Sequence, residues 1–141
     1  MPRKITGGCL CGSVRYEGTG DPVIQGHCQC RDCQRATGAG HNSIMAVPDA
    51  DIVVSGTLRF YDKPADSGNI VSRGFCPTCG STVLSRNDAM PGMLFLTAGC
   101  LDDPGQLEPM LVVYATRGHA WDHLDPALPT FPQMPPQFSG H

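Results

Sequence analysis

The sequence predicts a mainly β protein, built from small packed antiparallel sheets with one short helix. Three observations carry this prediction. First, 17 glycines and 13 prolines are spread through the 141 residues, so regular elements must be short. Second, no window shows apolar residues at helical spacing for three turns, whereas short alternating or apolar runs between turn residues are frequent. Third, seven of the eight cysteines fall into tight groups, which indicates metal-binding turns between the strands rather than disulfides.

The strand-like runs follow one another closely from residue 13 onward. About nine strands are predicted, at residues 13–17, 22–25, 42–47, 52–54, 58–61, 69–72, 82–85, 93–97 and 110–116. Residues 74–81 predict a tight turn, in which Pro77 fixes φ and Gly80 can adopt a positive φ. Residues 31–37 lack glycine, proline and aromatic residues and predict the short helix. Cys30 would precede its first turn and Gly38 would end it.

The length predicts one domain, residues 1–125, followed by a proline-rich arm, residues 126–141. Prolines recur there at every third position, which in a polyproline II segment places them on one face. Such a segment can serve as a ligand for a proline-binding partner. We favour an extended arm anchored through Leu128 and Phe131 on its own domain or on a dimer mate. Residues 137–141 are expected to fray, and the sequence leaves the oligomeric state open, with a homodimer as one option.

Charge and hydropathy exclude several classes of partner. A net charge of −3 gives no basic footprint for nucleic acid or for an anionic membrane surface. No stretch approaches the roughly 18 consecutive apolar residues that a membrane span needs. The amino-terminal residues lack the apolar region and cleavage site of a secretory signal. A soluble, cytoplasmic protein is therefore expected.

The cysteine spacing points to metal binding, because clustered C-x-C and C-x2-C pairs without a secretion signal are typical of metal sites. Cys9 and Cys11 form one such pair, and Cys76 and Cys79 form another. Together they supply the four thiolates of a closed tetrahedral zinc site, which would be structural and would contribute folding free energy. The alternative is that these thiols are buried as small apolar side chains.

A second zinc site is predicted at Cys28, Cys30 and Cys33, which place three thiols within six residues. Three ligands leave one tetrahedral position open, the arrangement found where zinc does chemistry. His41 is a possible fourth ligand, and water or substrate is the alternative. His27 is expected to point away and pack, and Cys100 is expected to be a buried free thiol. The open position makes metal loss and oxidation easier, so the sequence leaves open whether this site is fully or partly occupied.

The predicted second site favours sulfur chemistry. Three thiolates give the Zn²⁺ complex a net charge of −1, so it is a weaker Lewis acid than zinc held by three neutral histidines. It therefore lowers the pKa of bound water less, and it suits a soft fourth ligand such as a thiolate or a thiol adduct. Amides at the start of the helix would favour the thiolate forms of Cys28 and Cys30.

Three motifs resemble the glutathione-dependent formaldehyde-activating enzyme (GFA) family: GCLCGSVRY at residues 8–16, HCQCRDCQRATGA at 27–39 and RGFCPTCGS at 73–81. GCLDDP at residues 99–104, LEP at 107–109 and LPTF at 128–131 are also similar, so the resemblance spans nearly the whole chain. It implies a β-tent fold, with a structural zinc at the four-cysteine group and a catalytic zinc at the three-cysteine group. It further implies a carbon–sulfur lyase activity that condenses glutathione with formaldehyde to S-hydroxymethylglutathione, or the reverse.

Two functions remain in competition. The first is a zinc-dependent carbon–sulfur lyase acting on a small thiol or thiol–aldehyde adduct, which glutathione would supply in the family reaction. In it, Arg31 or Arg35 could clamp a substrate carboxylate and Asp32 could relay a proton, although all three also suit a solvated helix face. The second is a zinc-stabilised β-scaffold that binds a protein partner without catalysis. The open zinc position favours the enzyme, because a scaffold needs no incompletely ligated metal.

Overall fold

The computed structural model describes residues 2–135, in which ten strands form two sheets. The first sheet has three strands: β1 (Arg3–Gly8), β2 (Arg15–Gly20) and β5 (Ile52–Ser55), in the order β1-β2-β5. The second has seven strands: β3 (Ile24–Cys28), β4 (Asn42–Pro48), β6 (Arg59–Pro64), β7 (Ile70–Phe75), β8 (Thr82–Asn87), β9 (Met93–Thr97) and β10 (Leu111–Val113). Its order is β10-β3-β4-β9-β8-β7-β6. The prediction of a mainly β fold is confirmed.

The α-helix of the described residues, α1, spans Arg31–Thr37 as the sequence predicts. Cys30 caps its start in an extended conformation, and its Sγ accepts a hydrogen bond from the Cys33 amide. Gly38 ends the helix in the left-handed region, at φ 72°. Between residues 2 and 135 no helix is long and apolar enough to cross a membrane. Short 3₁₀ turns occupy Asp49–Asp51, Ala98–Cys100, Pro104–Gln106 and Ala115–Arg117.

Two features of the sheets differ from the sequence prediction. β1 was not predicted, because its basic start and its two terminal glycines have low strand propensity; its full-length antiparallel pairing with β2 overrides this. β10 pairs with β3 in parallel, whereas every other strand pair in the two sheets is antiparallel. A parallel neighbour requires a long crossover, and here the chain between β3 and β10 includes six of the other strands.

Side chains from both sheets form one apolar core. Ile5 and Tyr16 come from the three-stranded sheet, and Met45, Leu94 and Leu96 come from the seven-stranded sheet; all are at most 2 % exposed. Burying the apolar side chains among them contributes about 1.5–3 kcal/mol each, so these contacts hold the two sheets together. Two of the clustered cysteines also belong to this core, namely Cys9 and Cys76.

The opposite face of the seven-stranded sheet lines a cavity. Successive side chains of a strand point to opposite faces. On β9, Leu94 and Leu96 therefore enter the core while Phe95 faces the cavity. On β4, Met45 enters the core while Ile44 faces the cavity. The cavity thus lies across the sheet from the main core, where the ends of β3 and β7 can both contribute to it.

The start of the predicted proline-rich arm lies along β10. The Val112 amide donates to the carbonyl of Pro129 (2.9 Å), and the Phe131 amide donates back to the carbonyl of Val112 (2.8 Å). The Ala115 amide then donates to the carbonyl of Phe131 (3.0 Å). In this chain the arm therefore contacts its own domain. The domain boundary at residue 125 stays a prediction, and the expected fraying of residues 137–141 falls outside the described residues.

Candidate metal centres

The first candidate centre consists of four thiols from two turns, Cys9, Cys11, Cys76 and Cys79, whose Sγ atoms all lie within 4.8 Å of one another. The Cys9–Cys11 and Cys11–Cys76 sulfur atoms are 3.6 and 3.8 Å apart. A tetrahedron with zinc–sulfur bonds of about 2.3 Å has edges of about 3.8 Å, so the spacing suits such an ion. The two turns connect β1 to β2 and β7 to β8, so a metal here would join the two sheets.

Backbone amides in both turns point at the sulfur atoms of this centre. The Val14 amide donates to Cys9 Sγ (3.3 Å), and the Thr78 amide donates to Cys76 Sγ (3.4 Å). Gly80 has φ 80°, as predicted for this turn, and its amide donates to the Cys76 carbonyl. Hydrogen bonds from the Ser81 hydroxyl and amide lower the pKa of Cys79 to about 5. The turn at Ser81 therefore stabilises the thiolate form of Cys79, the form that a metal requires.

The second candidate centre is formed by Cys28, Cys30 and Cys33, whose Sγ atoms also lie within 4.8 Å of one another. Cys28 ends β3, Cys30 caps α1 and Cys33 lies in the first turn of the helix. Hydrogen bonds from Cys28 and Cys33 lower the pKa of Cys30 to about 2, and the same crowding raises the pKa of Cys28. The three thiols thus favour one thiolate among them and oppose the ionisation of the other two. A divalent cation would resolve this conflict by holding all three as thiolates.

His41, the possible fourth ligand, is not part of the three-thiol group. Its Nδ1 lies 2.8 and 2.9 Å from the two carboxylate oxygens of Asp122. The close packing of Gly40 explains this placement, since a Cβ there would lie 2.5 Å from the Asp122 carboxyl carbon. His27 packs edge-on against His41 and its Nδ1 lies 2.8 Å from the Ser43 hydroxyl, in agreement with a packing role. In residues 2–135, the second centre thus has three protein sulfur donors and no histidine.

The three thiols of the second centre line the cavity, whose volume is about 330 Å³. This volume lies at the lower end of the range for small-molecule sites. Strand side chains such as Ile44, Phe95 and Val113 give it an apolar wall, and Gln133 and Met134 of the arm add to its lining. The centre therefore opens onto a space that can hold a small organic ligand.

Tyr114 also lines the cavity, in an unusual backbone conformation. With φ 54° and ψ 37°, it is the one non-glycine residue with positive φ among the described residues. Left-handed backbone is unfavourable for a bulky side chain and is often found at functional sites. Burial, followed by the nearby Cys28 and Cys30, raises the pKa of Tyr114 above its usual value of about 10. Its hydroxyl is therefore a hydrogen-bond donor at neutral pH.

Of the charged residues that the sequence singled out on α1, Arg31 and Asp32 have protein partners. Arg31 lines the cavity and donates to the side chain of Gln34, and Asp32 pairs with Lys63 at 3.0 Å. Arg35 does not line the cavity. Cys100, half-buried, belongs to neither thiol group and its Sγ contacts the Thr82 carbonyl (3.5 Å).

Three residues of this region were missed from the sequence: Arg73, Tyr114 and Asp122. Arg73 lies just before the turn that contains Cys76 and Cys79. The residues that surround its side chain depend on the order of the strands in the sheet. The Asp122 contact joins residues 81 positions apart. For these two no local pattern carries a signal, whereas the short apolar run that ends at Tyr114 hinted only at a strand.

Comparison with known proteins gives a family match and a similar fold. The sequence profile of the family described as "Glutathione-dependent formaldehyde-activating enzyme" matches residues 4–117, which include all seven clustered cysteines. The fold is similar to the crystal structure of a Rhodobacter sphaeroides protein, with a TM-score of 0.56 and 17% sequence identity. That likeness covers 89% of this chain and 98% of the other, and at this identity it concerns the fold alone. No curated protein matches the chain.

Proposed function

Since the chain belongs to the glutathione-dependent formaldehyde-activating enzyme family, we propose that it is a zinc-dependent carbon–sulfur lyase. Its substrate would be a small thiol–aldehyde adduct of the S-hydroxymethyl type, formed or cleaved at the second centre, and glutathione is one candidate thiol. The observation that carries this proposal is that three thiols, without a fourth protein ligand among residues 2–135, border a cavity. A purely structural metal site has no use for such an arrangement.

We assign the two groups of cysteines different roles. Cys28, Cys30 and Cys33 would hold the catalytic zinc, which when bound supplies a soft Lewis-acid position for the sulfur of the substrate. The other four clustered cysteines would hold a structural zinc, and their closed set of thiolates leaves no place for a substrate.

In the direction of synthesis, a lone pair on the thiol sulfur attacks the carbonyl carbon of formaldehyde and forms the new carbon–sulfur bond. The π electrons of the carbonyl group move to its oxygen, which takes up the proton that the thiol released; cleavage reverses these steps. Tyr114 would donate a hydrogen bond to the oxygen as negative charge develops there. The apolar wall would limit competing hydration of the aldehyde.

The test is zinc content per chain combined with a formaldehyde–thiol exchange assay, measured above the uncatalysed rate with glutathione and with smaller thiols. Wild type is expected to hold two zinc ions and to accelerate exchange. Cys30→Ser should hold one and lose the acceleration, because its second centre keeps only two sulfur donors. Cys100→Ser is the matched control and should resemble wild type, since Cys100 lies outside both groups.

One zinc in wild type, unchanged in Cys30→Ser and without acceleration, would refute the proposal and favour a zinc-stabilised scaffold. Tyr114→Phe supplies a further comparison, since it should slow exchange without changing zinc content. A cytoplasmic location belongs to the same proposal, because a reducing compartment keeps such closely spaced thiols from being oxidised.

A further inference from the structure

The cavity contains an arginine for which the described residues provide no partner. The charged side chains along the cavity are Arg31, Asp32, Asp66, Arg73 and Arg117. Arg31 donates to Gln34, Asp32 pairs with Lys63 at 3.0 Å, and Arg117 approaches Asp66 at 3.9 Å. Arg73 forms neither an ion pair nor a side-chain hydrogen bond within residues 2–135.

The position of Arg73 is set by the seven-stranded sheet. It lies on β7 between Tyr61 of β6 and Ser85 of β8, and it shares the cavity face with Val71, two residues earlier. Its side chain is partly buried. It lines the same cavity as the thiols of Cys30 and Cys33.

A partly buried guanidinium without a protein anion is suited to an anion that the ligand brings. Guanidinium binds carboxylate through two parallel hydrogen bonds, and such charge-assisted bonds are about twice as strong as neutral ones. The sulfur atoms of the second centre line the same cavity, so a ligand bound there can present its own sulfur to the metal and its carboxylate to Arg73. The apolar wall of Phe95 and Val113 suits the short hydrocarbon chain between the two groups.

We propose that Arg73 binds the carboxylate of the substrate, so that the site prefers small mercaptocarboxylates and their aldehyde adducts to neutral thiols of equal size. This inference rests on the proposed function, because it names the class of thiol that the second centre accepts. A different role for Arg73 would be to offset the negative charge of the three thiolates and their metal. If Arg73 binds the substrate carboxylate, removing its charge weakens the binding of carboxylate ligands alone. If Arg73 offsets the charge of the centre, removing its charge weakens the binding of every ligand.

The experiment measures binding rather than turnover. Isothermal titration calorimetry compares 3-mercaptopropionate with its neutral amide, 3-mercaptopropionamide, on the zinc-loaded full chain. Hydrogen bonds to charged groups are worth about 1.5–3 kcal/mol, so wild type should bind the carboxylate about tenfold to a hundredfold more tightly than the amide. Arg73→Gln should reduce this ratio to less than about twofold. Arg73→Lys, which keeps the charge but loses the paired geometry, should fall between them.

The matched control is Arg86→Gln, on the neighbouring strand β8. Arg86 lies outside the cavity and pairs with Asp49 at 2.9 Å, so this variant should keep the wild-type ratio. Zinc content is measured for every variant. A ratio near one in wild type, or an unchanged ratio in Arg73→Gln, would overturn the proposal. Equal loss of affinity for both thiols, together with loss of zinc, would also overturn it and assign Arg73 to the charge of the centre.

This result can be separated from the fate of the proposed function. If the carboxylate preference depends on Arg73 but neither thiol exchanges with formaldehyde above background, the lyase assignment fails and the binding role of Arg73 stands. If exchange occurs equally fast with both thiols and the binding ratio is near one, the lyase assignment stands and the role of Arg73 fails.

Discussion

Replacing Gln34 with alanine should destabilise the protein far more than a glutamine substitution usually does. Gln34 is 5 % exposed and its amide joins α1 to two separate segments. Its Nε2 donates to the carbonyls of Gln29 (2.8 Å) and Arg117 (3.0 Å), and its Oε1 accepts from Nε2 of His119 (3.0 Å) and, within the helix, from Arg31. Each of the three bonds to residues outside α1 contributes about 1 kcal/mol net, so Gln34→Ala should lower the free energy of unfolding by about 3 kcal/mol.

Urea denaturation followed by circular dichroism, at fixed zinc saturation, measures this change. For a domain of this size the same loss corresponds to a decrease in Tm of about 10 °C. Gln106→Ala is the matched control, since the Gln106 amide makes a single long contact of 3.5 Å to the Lys4 carbonyl. It should change stability by less than about 0.5 kcal/mol. Equal effects of the two substitutions would refute the reasoning, because the buried hydrogen bonds would then contribute nothing measurable.

Two further predictions concern the first centre and acid stability. Cys79→Ser should remove one zinc ion and lower Tm much more than Cys30→Ser does, because a closed thiolate site contributes folding free energy; similar Tm values for the two variants would contradict this. The hydrogen bond from Arg15 (2.9 Å) lowers the pKa of Asp102 to about 2, below its unfolded value of about 3.9. This pair therefore contributes stability above pH 4 that is lost as the pH falls towards 2. The difference between the denaturation midpoints of wild type and Arg15→Gln should therefore shrink as the pH falls from 4 towards 2. A difference that stays constant would contradict the stabilising role of this pair.

The sequence predicts elements well where local chemistry decides them. The helix bounds follow from Cys30 and Gly38, which act through capping and left-handed backbone, and both act within a few residues. The glycine turn at Gly80 is local in the same sense. The two groups of cysteine thiols in the structure are those that the spacing in the sequence predicts. Their roles as zinc ligands stay a prediction.

Prediction fails where distant segments meet. β2 extends through Gly18, where the pattern indicates a stop, because the backbone of Asp51 approaches so closely that a Cβ would lie 1.9 Å from its carbonyl oxygen. The last predicted strand is cut short when Tyr114 turns into the left-handed region. Arg73 of β7 lines the same cavity as Cys28 of β3 although β4, β9 and β8 lie between the two strands, a meeting that no local pattern specifies.

The two borders of the seven-stranded sheet are protected in different ways against pairing with other chains. At β10 the amide and carbonyl of Val112 already form hydrogen bonds with residues 129–131. Few backbone groups of this border therefore remain to pair with an incoming strand. Within residues 2–135 no strand pairs with the outer side of β6, but every residue of Arg59–Pro64 is exposed and the strand includes charged residues and a terminal proline. Charge and proline on an outer strand discourage aggregation. Shortening the arm would therefore leave a strand border without either safeguard, and the first consequence would be self-association during folding.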